Sequence, residues 1–205
     1  MAKFKEIEVK WIADFIKRDD FNRKLRKFLA SKEYLYRFVR VEGPDTYFSD
    51  ELGRTIRHRI SKNTHELTSK MRIYKNSIKA RKEVNVRLAL DQPVEDVFEL
   101  LGMVGLKKVL AISKDCDIYF ISGSTAHVSI VWYTVYEKKS KNKVFVEVEV
   151  EGLSHRRSLK VLRMWMDRLK DMYGLTDKQV SDESLYELYT GKRYHKVTKG
   201  AKRGK

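Results

Sequence analysis

Lys5-Glu6-Ile7-Glu8-Val9-Lys10-Trp11 alternates without a break, with Glu6, Glu8 and Lys10 on one face of an extended chain and Ile7, Val9 and Trp11 on the other. Period two is the mark of a strand, because successive side chains of a pleated backbone point to opposite faces. Four further stretches keep the same rhythm. From Thr55 to Ile60, Arg57 and Arg59 oppose Ile56, His58 and Ile60; from Glu66 to Ile73, Glu66, Thr68, Lys70 and Arg72 oppose Leu67, Met71 and Ile73. From Ala80 to Leu88 the polar face is Arg81, Glu83, Asn85 and Arg87, against Val84, Val86 and Leu88. From Val144 to Gly152 it is Glu147, Glu149 and Glu151, against a row of valines. A sheet with one solvated face alternates in the same way. The residue types argue for more: the polar faces hold little Ser, Gln or Asn and separate into a carboxylate group and a larger Arg/Lys group. Closing such a sheet on itself removes its edges and puts one face inside. With the charged face inside, the barrel has a polar lumen.

Helical patterns lie between the strands. Asp20 to Ala30 places Phe21, Leu25, Phe28 and Leu29 at helical spacing, and Asp91 is a candidate cap for a helix with Pro93 in its first turn and Val94, Val97, Phe98 and Leu101 on one face, stopping near Gly102 or Gly105. Ser154 to about Tyr173 groups Leu159, Leu162, Trp165, Met166 and Leu169 and ends at Gly174. These apolar stripes match the apolar faces of the strands, so the helices are expected outside the barrel, in an α+β fold. Lys138 to Lys143 reads as a hairpin turn.

The 205 residues (24.3 kDa) suit one domain, and 42% hydrophobic residues with 10 Gly and 2 Pro exclude a disordered or collagen-like chain. A single cysteine, Cys116, allows neither an internal disulfide nor a thiolate metal site, and reads as a small buried hydrophobe. No apolar run reaches the roughly 18 residues of a membrane span and the N-terminal stretch lacks a signal-peptide core, so a cytoplasmic protein with no membrane partner is expected.

The charge says more. Lys and Arg number 44 against 28 Asp and Glu, a net +16, which implies a polyanionic partner. Residues 192–205 carry seven of the basic residues and no acidic one, so the remainder holds +9. Residues 191–205 are expected to be a flexible basic tail with RNA as a candidate contact, and residues 1–190 the folded domain.

Carboxylates two residues apart on a strand project to the same side, about 7 Å apart. Glu6 and Glu8 on one strand, with Glu147 and Glu149 on another, therefore form a candidate site for Mg²⁺ or Mn²⁺, hard cations that prefer carboxylate oxygen. Arg57, Arg59, Lys70, Arg81 and Lys114 supply donors for a chain of phosphates. The sequence has no Walker A, no dinucleotide-binding glycine fingerprint and no HExxH, which removes the usual loop-based phosphate and zinc readings. His58 sits on an apolar face and is expected to be packed; His127 is left unassigned.

Glu6-Ile7-Glu8-Val9-Lys10 resembles the Glu-x-Glu-x-Lys signature of the CYTH superfamily, the triphosphate tunnel metalloenzymes. Further segments resemble that superfamily in the same order: Asp45-Thr-Tyr-Phe, the strand holding Arg57 and Arg59, Leu67-Thr-Ser-Lys70, Arg81-Lys-Glu83, the stretch from Leu106 to Lys114, and Phe145-Val-Glu147-Val-Glu149. Gly174 to Gly191 resembles its C-terminal region. The resemblance implies a closed eight-stranded antiparallel tunnel with a charged lumen. On it, Lys10, Arg57, Arg59, Lys70, Arg81 and Lys114 bind a triphosphate, and Glu6, Glu8, Glu147 and Glu149 bind the metal. Glu6, Glu8 and Glu149 carry the catalysis, and Glu83 is a further tunnel carboxylate. Members hydrolyse thiamine triphosphate, tripolyphosphate, nucleoside triphosphates or RNA 5′-triphosphate ends, and one class, the class IV adenylyl cyclases, makes cyclic AMP from ATP.

Three positions depart from the pattern. Cys116 stands where the second basic residue of Lys-x-Arg is usual, Asn85 where a Glu is usual, and the strand before Phe145 offers only Glu137 for an expected Asp. The sequence thus implies a metal-dependent triphosphatase, with the cyclase and a non-catalytic binder of polyphosphate, nucleotide or RNA ends as alternatives.

Overall fold

The structure is a computed structural model, and it describes residues 6–72, 79–122, 126–136, 142–151 and 154–191. The alternating segments are strands: β1 (Glu6–Ile12), β2 (Tyr36–Ser49), β3 (Thr55–Ser61), β4 (Thr64–Arg72), β5 (Lys79–Arg87), β6 (Lys107–Ser122), β7 (His127–Tyr136), β8 (Lys143–Glu151) and the short β9 (Val180–Ser181). Helices α1 (Arg18–Ser31), α2 (Val94–Met103), α3 (His155–Tyr173) and α4 (Leu185–Thr190) are interspersed. The α+β class is as expected. The strand count is nine rather than eight, because the two residues Val180 and Ser181 add a strand too short to carry a periodic signal.

All the pairings are antiparallel, in the order β5-β4-β3-β2-β6-β7-β8-β1-β9, and β1 makes a further pairing with β5. β8 runs along the whole of β1, from Glu6↔Glu151 to Ile12↔Phe145. The other edge of β1 is shared: β5 takes Glu6 to Glu8, opposite Arg81 to Lys79, and β9 takes Lys10 and Trp11.

The largest core lies on the outer side of β1, β7 and β8. There Ile7, Val9, Trp11, Val146, Val148 and Val150 pack against Phe21, Leu25 and Leu29 of α1 and Leu162, Trp165 and Leu169 of α3. Gly174 ends α3 in the left-handed conformation (φ 70°), as its place after the apolar stripe suggests. A second outer cluster seats α2 through Val97, Leu101 and Phe98 on Phe48, Ile56 and Leu67. Pro93, not Asp91, is the residue at its N-cap, and no side chain caps the helix.

The third cluster contradicts a wholly charged lumen. Tyr47, Cys116, Val131, Tyr133 and Phe145 share the inward face with Lys114 and Glu147, and pack with Leu185 and Tyr186 of α4. One end of the lumen is therefore apolar and plugged by the C-terminal helix. Ser184 caps α4, accepting from the Glu187 amide while the Glu187 carboxylate accepts from the Ser184 amide. The hairpin predicted over Lys138 to Lys143 falls mostly outside the described residues, as do Glu137 and the tail from residue 192. No helix among the described residues is long and apolar enough to cross a membrane, which says nothing of strands.

Candidate metal and phosphate site

A cavity of about 250 Å³ lies on the inward face, lined by residues of every strand from β1 to β8 and by Ser184 and Leu185. Parity delivers them. β1 contributes Glu6, Glu8 and Lys10; β3 contributes Arg57 and Arg59; β8 contributes Glu147, Glu149 and Glu151. Glu8 pairs with Glu149 and Lys10 with Glu147, so carboxylates from adjacent strands meet side by side.

Glu6, Glu8 and Glu149 each offer an oxygen such that the three lie within 4.8 Å of one another. Glu6 and Glu8 are buried and Glu149 is half-buried. Carboxylates crowded away from water repel one another unless a cation or protons stand between them, and an all-oxygen donor set suits Mg²⁺ or Mn²⁺. Glu147 lines the same cavity but falls outside this trio; it accepts a hydrogen bond from the Tyr133 hydroxyl at 2.7 Å. Burial, with the Glu147 carboxylate beside it, holds that hydroxyl well above the usual phenol range.

The cationic wall is organised by a residue that the motifs named only by resemblance. Asp45 on β2 is fully buried and accepts from Arg59 through both guanidinium branches, Nε to Oδ1 at 2.8 Å and Nη2 to Oδ2 at 3.0 Å. Lys114 Nζ lies 2.6 Å from the same carboxylate. Burial pushes the Asp45 carboxyl up, but Arg59, Lys114 and Arg57 outweigh it and hold the group well below the usual carboxylate range. Burial lowers Lys114, with Asp45 opposing the shift. Arg57 donates to Thr68 Oγ1 at 3.1 Å and approaches Glu66 at 3.5 Å, while its Nε is buried with no partner among the described residues. A buried guanidinium N–H with no acceptor is costly unless a ligand supplies one.

Lys10 donates to the main-chain carbonyl of Glu183, just before α4, and so ties the C-terminal segment to the lumen. Cys116 lines the cavity on the same face as Lys114, so the Lys-x-Cys register is inward; burial raises its thiol, with Lys114 and Arg59 opposing. Glu83 also lines the cavity. Asn85 lies opposite Thr68. Lys70 and Arg81 are placed by register only, Lys70 opposite Glu83 and Arg81 opposite Glu6; their side chains lie outside the described residues. His58 is packed on the outer face, with its Nε2 2.8 Å from His65 Nε2, and His127 is exposed at the start of β7.

The sequence reading passed over the β6–β7 wall, where Ile118, Phe120, Ser129, Val131 and Tyr133 line the cavity. The signal was present in the alternation of β6, but the acidic Asp115 and Asp117 on its other face masked it. Those two carboxylates face outward and bind Arg18 of α1, with Asp115 Oδ1 to Nη2 at 2.7 Å and Asp117 Oδ2 to Nε at 2.7 Å.

No protein-family profile and no curated protein matches this chain. Among solved structures, the chain is similar to the PH1819 protein from Pyrococcus horikoshii OT3, with a TM-score of 0.68 and 23% identity over 92% of this chain and 99% of that one. It is also similar to a conserved hypothetical protein from Pyrococcus furiosus, with a TM-score of 0.66 and 23% identity over 89% of this chain and 99% of the other. These likenesses establish the fold. A weaker one, at TM-score 0.48 and 12% identity over 84% of this chain and 86% of the other, is to the S. pombe Pct1 RNA triphosphatase.

Proposed function

We propose that this chain is a divalent-metal-dependent triphosphatase working inside a β-tunnel, with the β1–β5 pairing as the seam that closes eight strands and β9 lying outside the ring. The observation that carries the reading is the trio Glu6, Glu8 and Glu149 in one cavity with Arg57, Arg59 and Lys114. An anion receptor that works without metal gains nothing from inward carboxylates, and a metal site alone has no use for a cationic wall. A metal-bound polyphosphate uses both.

In this reading Glu6, Glu8 and Glu149 hold Mg²⁺ or Mn²⁺, which when bound neutralises and aligns the phosphate chain. Arg57, through its unpartnered Nε, together with Arg59 and Lys114, stabilises charge on the phosphoryl oxygens. Asp45 fixes Arg59 and Lys114 in place. Water attacks the terminal phosphorus and the anhydride bond breaks, giving orthophosphate and the shortened chain. Lys70, Arg81 and Lys10 extend the cage, Glu83 and Glu147 shape its polar walls, and the basic tail offers a contact for RNA.

A second reading, a non-catalytic receptor for polyphosphate or nucleotide, draws on two observations. Cys116 faces the cavity where a further cation is usual in the superfamily, and Lys10 is engaged by the Glu183 carbonyl. Phosphorus NMR of tripolyphosphate, ATP, thiamine triphosphate and a 5′-triphosphorylated RNA, with Mg²⁺ or Mn²⁺ and then with EDTA, separates the readings. Metal-dependent orthophosphate release is expected. Pyrophosphate with cyclic AMP from ATP replaces the hydrolase by a cyclase, and tight binding without turnover replaces it by the receptor. The Glu6→Gln, Glu8→Gln double variant is expected to lose at least 100-fold in metal-dependent turnover while keeping its circular dichroism spectrum; full turnover in that variant refutes the metal assignment.

A further inference from the structure

The cavity has walls of two chemistries. The carboxylates stand on β1 and β8 and the guanidinium groups on β3, whereas β6 and β7 present Cys116, Ile118, Phe120 and Val131. Two cross-strand rows tie the apolar wall to the metal-ligand trio. Glu8 pairs with Glu149, Glu149 with Ser129 and Ser129 with Phe120; one step deeper, Lys10 pairs with Glu147, Glu147 with Val131 and Val131 with Ile118. Phe120 thus lies two strands from Glu149, about 10 Å along the sheet.

Most inward apolar side chains of this fold are accounted for by packing at the plugged end, where Cys116, Val131 and Tyr133 join α4. Phe120 is not. It belongs to none of the three apolar clusters, it is half-buried, it lines the cavity, and the exposed Arg37 guanidinium lies 4.6 Å from its ring centroid. Beside it Ile118 is also half-buried and lines the cavity. A bare polyphosphate takes nothing from such a wall, since hydrated phosphate oxygens gain no attraction from apolar carbon. A planar ring does, by stacking on an aromatic face and displacing water from the aliphatic neighbours.

We propose that the ligand is an organic triphosphate bearing an aromatic ring, with Phe120, Ile118 and Val131 as the residues that select the ring while the charged walls hold the phosphates. The proposal rests on the triphosphate reading above. Its content is that the chain discriminates among triphosphates by the group attached to them.

Calorimetric titration of the full chain in Mn²⁺ with ATP, UTP and methyl triphosphate isolates the ring, because all three carry the same phosphate chain. ATP and UTP are expected to bind at least tenfold more tightly than methyl triphosphate, and Phe120→Ala is expected to shrink that ratio about tenfold, with Phe120→Leu keeping part of it. Thermal unfolding of each variant checks that it is folded, and the wild-type ratio stands as a test without them. Equal affinity for the three ligands, or a ratio unchanged in folded Phe120→Ala, overturns the selection by the ring and leaves the triphosphate reading intact. Binding of none of the three overturns the triphosphate reading, and this proposal with it.

Discussion

Asp45 shows how a single carboxylate sets the chemistry of this lumen. It is fully buried and braces Arg59 and Lys114, two cations that otherwise face each other across the sheet with no counter-charge. Asp45→Asn leaves both under-compensated away from water and is expected to cost about 3–5 kcal/mol of stability, measured by urea unfolding; a loss below about 1 kcal/mol contradicts the bracing role. A carboxyl held below its ordinary value stabilises the fold above about pH 4 and loses that contribution as pH falls through its folded value, so the wild type is expected to be more acid-sensitive than Asp45→Asn. Gly43 is constrained by space. A Cβ built there meets the Ile60 carbonyl oxygen at 2.3 Å, and that atom is backbone, which cannot swing aside. Gly43→Ala is expected to lower stability by about 1–3 kcal/mol, read from the urea midpoint at constant slope.

At the scale of elements, the His58–His65 pair clasps β3, β4 and the turn leading into α2. His65 Nδ1 lies 2.9 Å from the Ala89 carbonyl, an acceptor, so it carries the proton there; His65 Nε2 then accepts from His58 Nε2 at 2.8 Å. Both rings are neutral in this arrangement, and Phe98 of α2 packs edge-on against His58. Burial and the neighbouring His65 hold His58 below its ordinary value, against the pull of Asp45. A histidine whose folded value is lowered stabilises the fold above about pH 6.5, and that contribution is lost as pH falls below it. The melting temperature is therefore expected to drop between pH 7 and pH 5, and a His58→Gln, His65→Gln double variant to show a shallower slope over that window. An unchanged slope removes the pair from the acid response. The plug shows the same principle in another form: Lys10 and the Ser184 cap together fix where α4 enters the lumen, and with it the end of the cavity that is apolar.

Over the whole molecule, charge is distributed unevenly between domain and tail. Deleting residues 192–205 removes seven basic residues and no acidic one, leaving +9. Affinity for a 5′-triphosphorylated RNA is expected to become less steeply salt-dependent on that deletion, with binding of a mononucleotide changed less than twofold. An identical salt slope with and without the tail assigns RNA contact to the folded domain alone. The large net charge also predicts fast, salt-sensitive association with small polyanions, because a cavity walled by cations concentrates the field at its mouth.

The strands carrying Glu6, Glu8, Arg57, Arg59, Glu147 and Glu149 were legible in the sequence, because alternation is a local property and strict charge on one face leaves few other readings. Helix α3 was legible for the same reason, with its stripe of apolar residues and a glycine in the left-handed conformation to end it. Local pattern does not say which strands become neighbours. Only the register, Glu8 against Glu149 rather than Glu147, brings three carboxylates within reach of one cation and turns the fourth toward Tyr133. The bracing of Arg59 and Lys114 by Asp45, the pairing of two histidines from β3 and β4, the helix plugging one end of the lumen and the apolar wall of β6 and β7 were likewise decided in three dimensions. Each depends on residues far apart in the chain whose contact free energy exists only once the sheet has curved to bring them together.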